Sequence, residues 1–349
     1  MFSCAKIKGI KVILPKKKLS LQDLSDVYDE NYIKKVIAAT GIKSVHVAEE
    51  GYTTSDYCIR AADRLFEEMC FDRNLIDAVV FVTQTPDYIV PHTSAIIQDR
   101  LSLRKDIATF DLNFGCPGFL YGIFQAHMLI STGMFKNVLL CCGDTISKYI
   151  NEEDKAMRLV MGDGCSASLI SFEGNSISDF DFFCDGSRAK ALMIPAGSNR
   201  MPRKAGVTDL LYSDDEGNRR TQEDIYMDGL TVMDFALHDV TALIKRILVK
   251  MNWTKDDIDS LVLHQANRMI VNYVAKKVKV DKSKVMLSVE DTGNTGSCSI
   301  PLALCKELAS HNEATRLSKV VMCAFGTGLS AVAAGLNLQG TYFGVVEEF

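Results

Sequence analysis

FDLNFGCPGF, residues 110–119, runs from an apolar, strand-like stretch into a turn that sets Cys116 between Gly115 and Gly118. A helical pattern follows at once. In PGFLYGIFQAHMLISTG, Phe119, Leu120, Ile123 and Phe124 fall on one side and Gly133 ends the run. With Pro117 at the first helical position, the unpaired N–H groups and the macrodipole of that helix favour a thiolate at Cys116. Cysteine is also among the most commonly buried residue types, so a plain packing role is the alternative.

The same pattern recurs 182 residues later, where Cys298 precedes SIPLALCKELAS with Pro301 near its start. At that offset LIDAVVFV (75–82) lies on DIDSLVLH (257–264), and NVLLCC (137–142) on KVVMCA (319–324). The echo predicts two similar α/β halves, residues 1–174 with Cys116 and 175–349 with a histidine and an asparagine of interest. The break falls in the turn-rich SFEGNSIS (171–178). Short β-branched runs alternate with amphipathic helices in both halves, as for sheets covered by helices. In the second half PAGSNRMPRKAGVTDLLYSDDEGNRRTQED (195–224) is a long polar excursion, either a lid or a substrate-facing loop.

With 349 residues, 47% hydrophobic and 24% charged, the chain has the composition of a soluble globular protein with a large core. A net charge of -5 offers no basic stripe for a nucleic acid backbone. Eleven cysteines without a CxxC pair fit a reducing cytoplasm better than disulfides or zinc. The opening MFSCAKIKGIKVILPKKK does not read as a secretory signal. Val320 to Val346 carries no charge, but its glycines and polar residues predict two or three buried strands rather than a membrane span. No membrane partner, metal or bound cofactor is expected.

Three further stretches carry chemistry. LVLHQAN (261–267) puts His264 at the end of an apolar strand, with Asn267 as a cap for RMIVNYVAKKV. A histidine there points into the crevice where α/β sheets bind ligands; the other five, His46, His92, His127, His238 and His311, read as ordinary core or surface residues. DTGNTGSCSIP (291–301) flanks Asn294 with Gly293 and Gly296, an arrangement that aims a carboxamide or simply makes a turn. AFGTGLS (324–330) is a glycine-rich turn able to offer a backbone N–H to an oxyanion; the P-loop and full GxGxxG patterns are absent.

Together these stretches resemble the thiolase superfamily, specifically the β-ketoacyl-acyl-carrier-protein synthase III type, through FGCPGF, HQAN, GNTGSCSIP, TGIKSVHVA (40–48), MGDGCSA (161–167) and FGTG (325–328), in family order along nearly the whole chain. The resemblance implies a thiolase-like fold, two duplicated βαβαβαββ halves in a five-layer αβαβα arrangement, usually as a homodimer. It implies Cys116, His264 and Asn294 as catalytic residues, with the N–H groups of Cys116 and Thr327 as the oxyanion hole. The implied reaction is decarboxylative Claisen condensation: an acyl-CoA or acyl-carrier protein loads Cys116, and a malonyl thioester, that of malonyl-acyl-carrier protein, extends it to a 3-oxoacyl thioester. The thioesters are substrates and no cofactor is implied. Simple acyl transfer from Cys116 to an alcohol or amine, and a non-catalytic partner subunit, are the alternatives. Thiolases use a second cysteine as base, for which Cys298 is the tempting match, and hydroxymethylglutaryl-CoA synthase needs a glutamate that has no matching motif here.

Several positions depart from the family pattern. The tryptophan and arginine that precede TGI and grip coenzyme A correspond to Lys35 and Ala39, with Tyr32 as a stacking substitute. The arginine seven residues before the GDG glycine is Lys155, which keeps the charge and loses the planar fork. After Asn267 the basic residue comes one place early, as Arg268, with Met269 in its stead. Val90 replaces the aromatic that often closes the acyl pocket across the dimer. These departures predict a starter other than acetyl-CoA.

Overall fold

The computed structural model describes residue 2, residues 4–309 and residues 316–349; His311 lies outside the described residues. The opening apolar run forms β1 (Ala5–Leu14), and a short antiparallel pair follows, β2 (Lys18–Ser20) with β3 (Ser44–His46), on either side of helix α1 (Glu30–Thr40). The β-branched runs then form β4 (Ala78–Val82), β5 (Ala108–Leu112), β6 (Asn137–Asp144) and β7 (Gly164–Phe172). With β1 these make one sheet, ordered from its free edge β5-β4-β6-β7-β1. The central strands β4 and β6 are almost wholly buried, which is why they lack a polar alternation.

A turn leads into β8 (Asp179–Cys184), the first strand of the second sheet. The polar excursion is closed at its base by the antiparallel pair β9 (Leu192–Met193) with β12 (Tyr226–Met227) and holds a second small pair, β10 (Tyr212–Ser213) with β11 (Arg219–Arg220). The second sheet continues with β13 (Ser260–Leu263), β14 (Val320–Gly326) and β15 (Ser330–Leu336), in the order β13-β14-β15-β8. Outside β13, Val285 makes a single parallel bridge to Leu261. Counting that bridge, each sheet places its third strand in chain order at one edge, then the second, fourth, fifth and first. The uncharged stretch at 320–346 is β14, β15 and the short β16 (Tyr342–Phe343). With β17 (Glu347–Glu348), β16 crosses back to pair in parallel with β1 of the first sheet.

Five layers result, as the resemblance implies. Outside the first sheet lie α2 (Thr54–Glu68), started by a Thr53–Asp56 capping box, and α3 (Thr93–Arg100). Between the sheets lie α4 (Gly118–Ser131) and α9 (Ser299–Leu308), packed against both halves in one apolar cluster. Outside the second sheet lie α6 (Gly229–Phe235), α7 (Thr241–Lys250) and α8 (Arg268–Val278). The buried Phe119, Leu120 and Ile123 of α4 each contribute roughly 1.5–3 kcal/mol by leaving water. Gly122 lets that helix sit down on β6, since a Cβ there would come within 2.5 Å of Leu140 Cδ1.

Candidate active site

The two central helices decide where the chemistry sits. Cys116 stands just before α4, whose N-cap is Pro117, so the proline lies one position ahead of the first helical residue, Gly118, and not at the first helical position expected from the sequence. His264 follows β13, held there by its own N–H donating to the Cys323 carbonyl of β14 (2.8 Å). Asn294 sits in the turn before α9, and its backbone is stitched to the MGDG stretch: Asn294 N donates to Val160 O and Gly162 N to Asn294 O, both at 2.9 Å. Gly293 adopts φ +67, and a Cβ there would meet Val160 O at 2.7 Å, so the turn needs glycine. Cys116, His264 and Asn294, contributed by both halves, line one buried cavity with Val160, Phe325 and Gly326. A roomier cleft of about 460 Å³, lined by Lys17, Lys148 and Arg158, holds none of the three.

Each polar group in the cavity has a defined state. Burial pushes the Cys116 thiol up to about 12, and the nearby Asp144 carboxylate pushes the same way, against the thiolate bias expected of a helix N-terminus alone. Burial brings His264 down to about 3, so the ring is neutral at physiological pH. Its Nδ1 lies 2.7 Å from Ser299 Oγ and its plane is set by the Phe325 ring, edge-on at 5.4 Å. The Asn294 carboxamide accepts from Gly296 N at 3.1 Å through Oδ1, which fixes its orientation and leaves Nδ2 as a donor to the cavity, without a hydrogen-bond partner among the described residues. Neither Cys116 N–H nor Thr327 N–H donates to another residue's backbone among the described residues. Gly326 touches Cys116: a Cβ there would lie 2.7 Å from Cys116 Cβ and 3.0 Å from its Sγ.

The remaining sequence candidates fall outside the cavity. Tyr32 and Lys155 meet each other, the ammonium 4.9 Å above the ring, and Lys155 also donates to Glu216 O (2.7 Å). Lys35 is exposed on α1. Asn267 caps α8 by accepting from Ile270 N (2.8 Å), as expected. Arg268 donates to Ala38 O (2.7 Å), bringing α8 to the end of α1. Val90 is 81% exposed, with Tyr88 and Ile89, on a loop away from its own chain's cavity. The polar excursion faces the site through its stem, since Leu192 of β9 and Met227 of β12 line the cavity. Its tip is tied down by buried Arg220, which pairs with Asp154 at the start of α5 (Lys155–Arg158) and with Asp214 (2.6 and 2.8 Å).

The chain matches the family description 3-oxoacyl-[acyl-carrier-protein] synthase III over residues 110–186 and that family's C-terminal description over residues 248–338. It is 33% identical over 330 residues to the β-ketoacyl-[acyl-carrier-protein] synthase III of Desulfitobacterium hafniense strain Y51, covering 94% of this chain and 96% of that one. The chain belongs to the synthase III family. A solved 3-oxoacyl-(acyl-carrier-protein) synthase III superposes with a TM-score of 0.92 at 34% identity, over 96% of this chain and 99% of that one. The Burkholderia xenovorans LB400 3-oxoacyl-(acyl-carrier protein) synthase also gives 0.92, at 28% identity, over 100% and 98%. The fold of this synthase III family member is therefore the thiolase-like one.

Three residues that shape the site escape a reading of the sequence. Gly326 hides inside a glycine-rich turn whose contact with Cys116 spans 210 positions. Ser299 looks like any helix-opening serine. Asp144, fully buried, accepts from Thr83 Oγ1, Gln84 N, Ser297 N and Ser297 Oγ (2.8–3.2 Å), clasping the ends of β4 and β6 to the Asn294 turn. Burial raises its carboxyl to about 6 despite those bonds. No spacing signal marks a contact between residues 144 and 297.

Proposed function

We propose that this chain uses Cys116, His264 and Asn294 to condense an acyl thioester with a malonyl thioester, with loss of carbon dioxide. The observation that carries this reading is the meeting of a helix-end thiol, a neutral imidazole and an oriented carboxamide in one buried cavity. The Cys116 thiolate attacks the acyl carbonyl carbon, the bond from that carbon to the carrier sulfur breaks, and the carrier leaves as a thiolate that takes up a proton. The N–H groups of Cys116 and Thr327 stabilise the tetrahedral oxyanion. When the malonyl thioester binds, its C–C bond to the carboxylate breaks, carbon dioxide leaves, and the electron pair passes to an enolate whose oxygen accepts from His264 Nε2 and Asn294 Nδ2. The enolate carbon attacks the acyl carbon, the bond to Cys116 breaks, and a 3-oxoacyl thioester two carbons longer departs with the thiolate restored. Two hydrogen-bond donors on one carbonyl oxygen suit enolate stabilisation, which transfer to an alcohol or amine does not need.

Tyr32 and Lys155 form the outer grip for the donor, with Asn267, Arg268 and the exposed Lys35 as further donor-binding residues outside the cavity. The contact between the Tyr32 ring and Lys155, backed by Glu216, supports a donor carried by something other than coenzyme A, because that pair must open before a nucleotide can stack there, and the exposed Val90 supports an acyl group other than acetyl. A homodimer is supported by the free edge of β5 and the exposed Tyr88, Ile89 and Val90, Val90 closing the acyl pocket of the partner subunit. All eleven cysteines are free, as suits a reducing cytoplasm, and no helix among the described residues is long and apolar enough to cross a membrane. Incubation with a panel of acyl-CoA and acyl-carrier thioesters, followed by intact-mass measurement, tests the reading. Acylation of the wild type but not of Cys116→Ala, with carbon dioxide release from malonyl-carrier protein, is the expected result. Acylation without carbon dioxide release would return the chain to simple acyl transfer, and robust condensation from acetyl-CoA would overturn the starter proposal.

A further inference from the structure

We propose that the Ser299 hydroxyl is a positioning group that locks His264 in the tautomer carrying its proton on Nε2, so that the imidazole is a hydrogen-bond donor to the cavity and not a base for Cys116. The inference deepens the condensing reading above and rests on it for its catalytic consequence, though the tautomer itself is a matter of hydrogen bookkeeping around one oxygen.

Ser299 is 1% exposed, and its Oγ has two hydrogen-bond neighbours among the described residues: His264 Nδ1 at 2.7 Å and Gln265 N at 3.4 Å. The backbone N–H of Gln265 can only donate. If Nδ1 also carried a proton, the oxygen would accept from both neighbours and its own hydrogen would be buried without an acceptor. An orphaned buried hydroxyl biases such a choice by about 10- to 100-fold. The satisfied alternative has Ser299 O–H donating to an unprotonated Nδ1 while Oγ accepts from Gln265. A neutral imidazole with a bare Nδ1 carries its single proton on Nε2. The ring has little freedom to escape this choice, since Phe325 stands edge-on to it and burial keeps it from taking a second proton.

Two consequences follow for the cavity. Nε2–H of His264 and Nδ2–H of Asn294 are both donors, so the pair is complementary to one oxygen that gains negative charge. An Nε2 that already holds its proton has no lone pair for the Cys116 thiol, so the thiolate forms without His264. Ser299 lies five residues after Asn294, and one short segment therefore supplies a carboxamide to the cavity and the lock on the imidazole.

The test uses the full-length protein labelled with nitrogen-15 histidine. Correlation spectra from about pH 5 to 8 are expected to show His264 with Nδ1 unprotonated and Nε2 protonated throughout. A protonated Nδ1 in the wild type overturns the proposal outright. Ser299→Ala is expected to admit the other tautomer and to lower kcat for decarboxylation of malonyl-pantetheine by about 10- to 100-fold, with KM within about twofold and Cys116 acylation unchanged. Ser299→Thr, which keeps the hydroxyl, is expected to restore most of the rate. Decarboxylation at the wild-type rate by Ser299→Ala overturns the positioning role. Should the wild type release no carbon dioxide from malonyl-pantetheine, the condensing reading fails, while the nitrogen spectrum still decides the tautomer.

Discussion

Cys116 and Cys298 hold equivalent places in the two halves: each ends the turn before a central helix, and each helix packs between the same two sheets. Their surroundings differ. Cys116 lines the cavity beside His264 and Asn294, whereas Cys298 is fully buried among core residues, and burial first, with neighbouring Cys142 next, raises its thiol well above the ordinary range. Position at a helix end thus does not by itself decide whether a sulfur faces open space. What separates the two sulfurs is the space in front of them, which at Cys116 exists because Gly326 has no side chain.

The sharpest way to break this comparison is to remove each sulfur in turn. Cys116→Ala is expected to abolish acylation by any thioester, a loss of at least about 1,000-fold, while Cys298→Ala keeps it, both read by intact mass. Loading of Cys298 in the Cys116→Ala protein would show that the two sites are chemically interchangeable after all. Next in size, Gly326→Ala pushes a methyl group into Cys116 and is expected to slow acylation by about 100-fold while the protein remains folded. Cys298→Ala itself is expected to cost about 1–2 kcal/mol in urea unfolding, the mark of a packing residue. The mildest test concerns charge. Asp144→Asn removes the carboxylate that opposes thiolate formation, so the rise of the Cys116 acylation rate with pH is expected to shift to lower pH. A shift to higher pH would mean that the Asp144 clasp on the Asn294 turn matters more to the thiol than its charge does.

The fold was largely legible because its signals are local or repeated. The offset of 182 residues aligned β4 with β13 and α4 with α9, and the buried strands announced themselves as uninterrupted apolar runs. The polar excursion was legible only as an alternative between lid and substrate-facing loop, and its stem reaches the cavity through Leu192 and Met227. Asn267 was readable as a cap because capping acts over three residues. What stayed hidden depends on distance in sequence. The effect of burial on Cys116 outruns the helix-end argument because desolvation is set by residues far along the chain. The meeting of Tyr32 on α1 with Lys155 on α5 and Glu216 in the excursion joins three distant segments, and no motif encodes it.

The return of β16 and β17 to the edge of β1 orders events during synthesis. Glu347 receives Arg60 and Arg64 of α2 (2.6 and 2.9 Å), so the sheet whose strands are made first is closed by residues made only after every strand of the second sheet. Until β16 and β17 emerge, β1 offers bare amide and carbonyl groups to whatever strand is nearby. A nascent chain paused between the halves therefore carries an open sheet edge, which closes when β16 and β17 pair with β1.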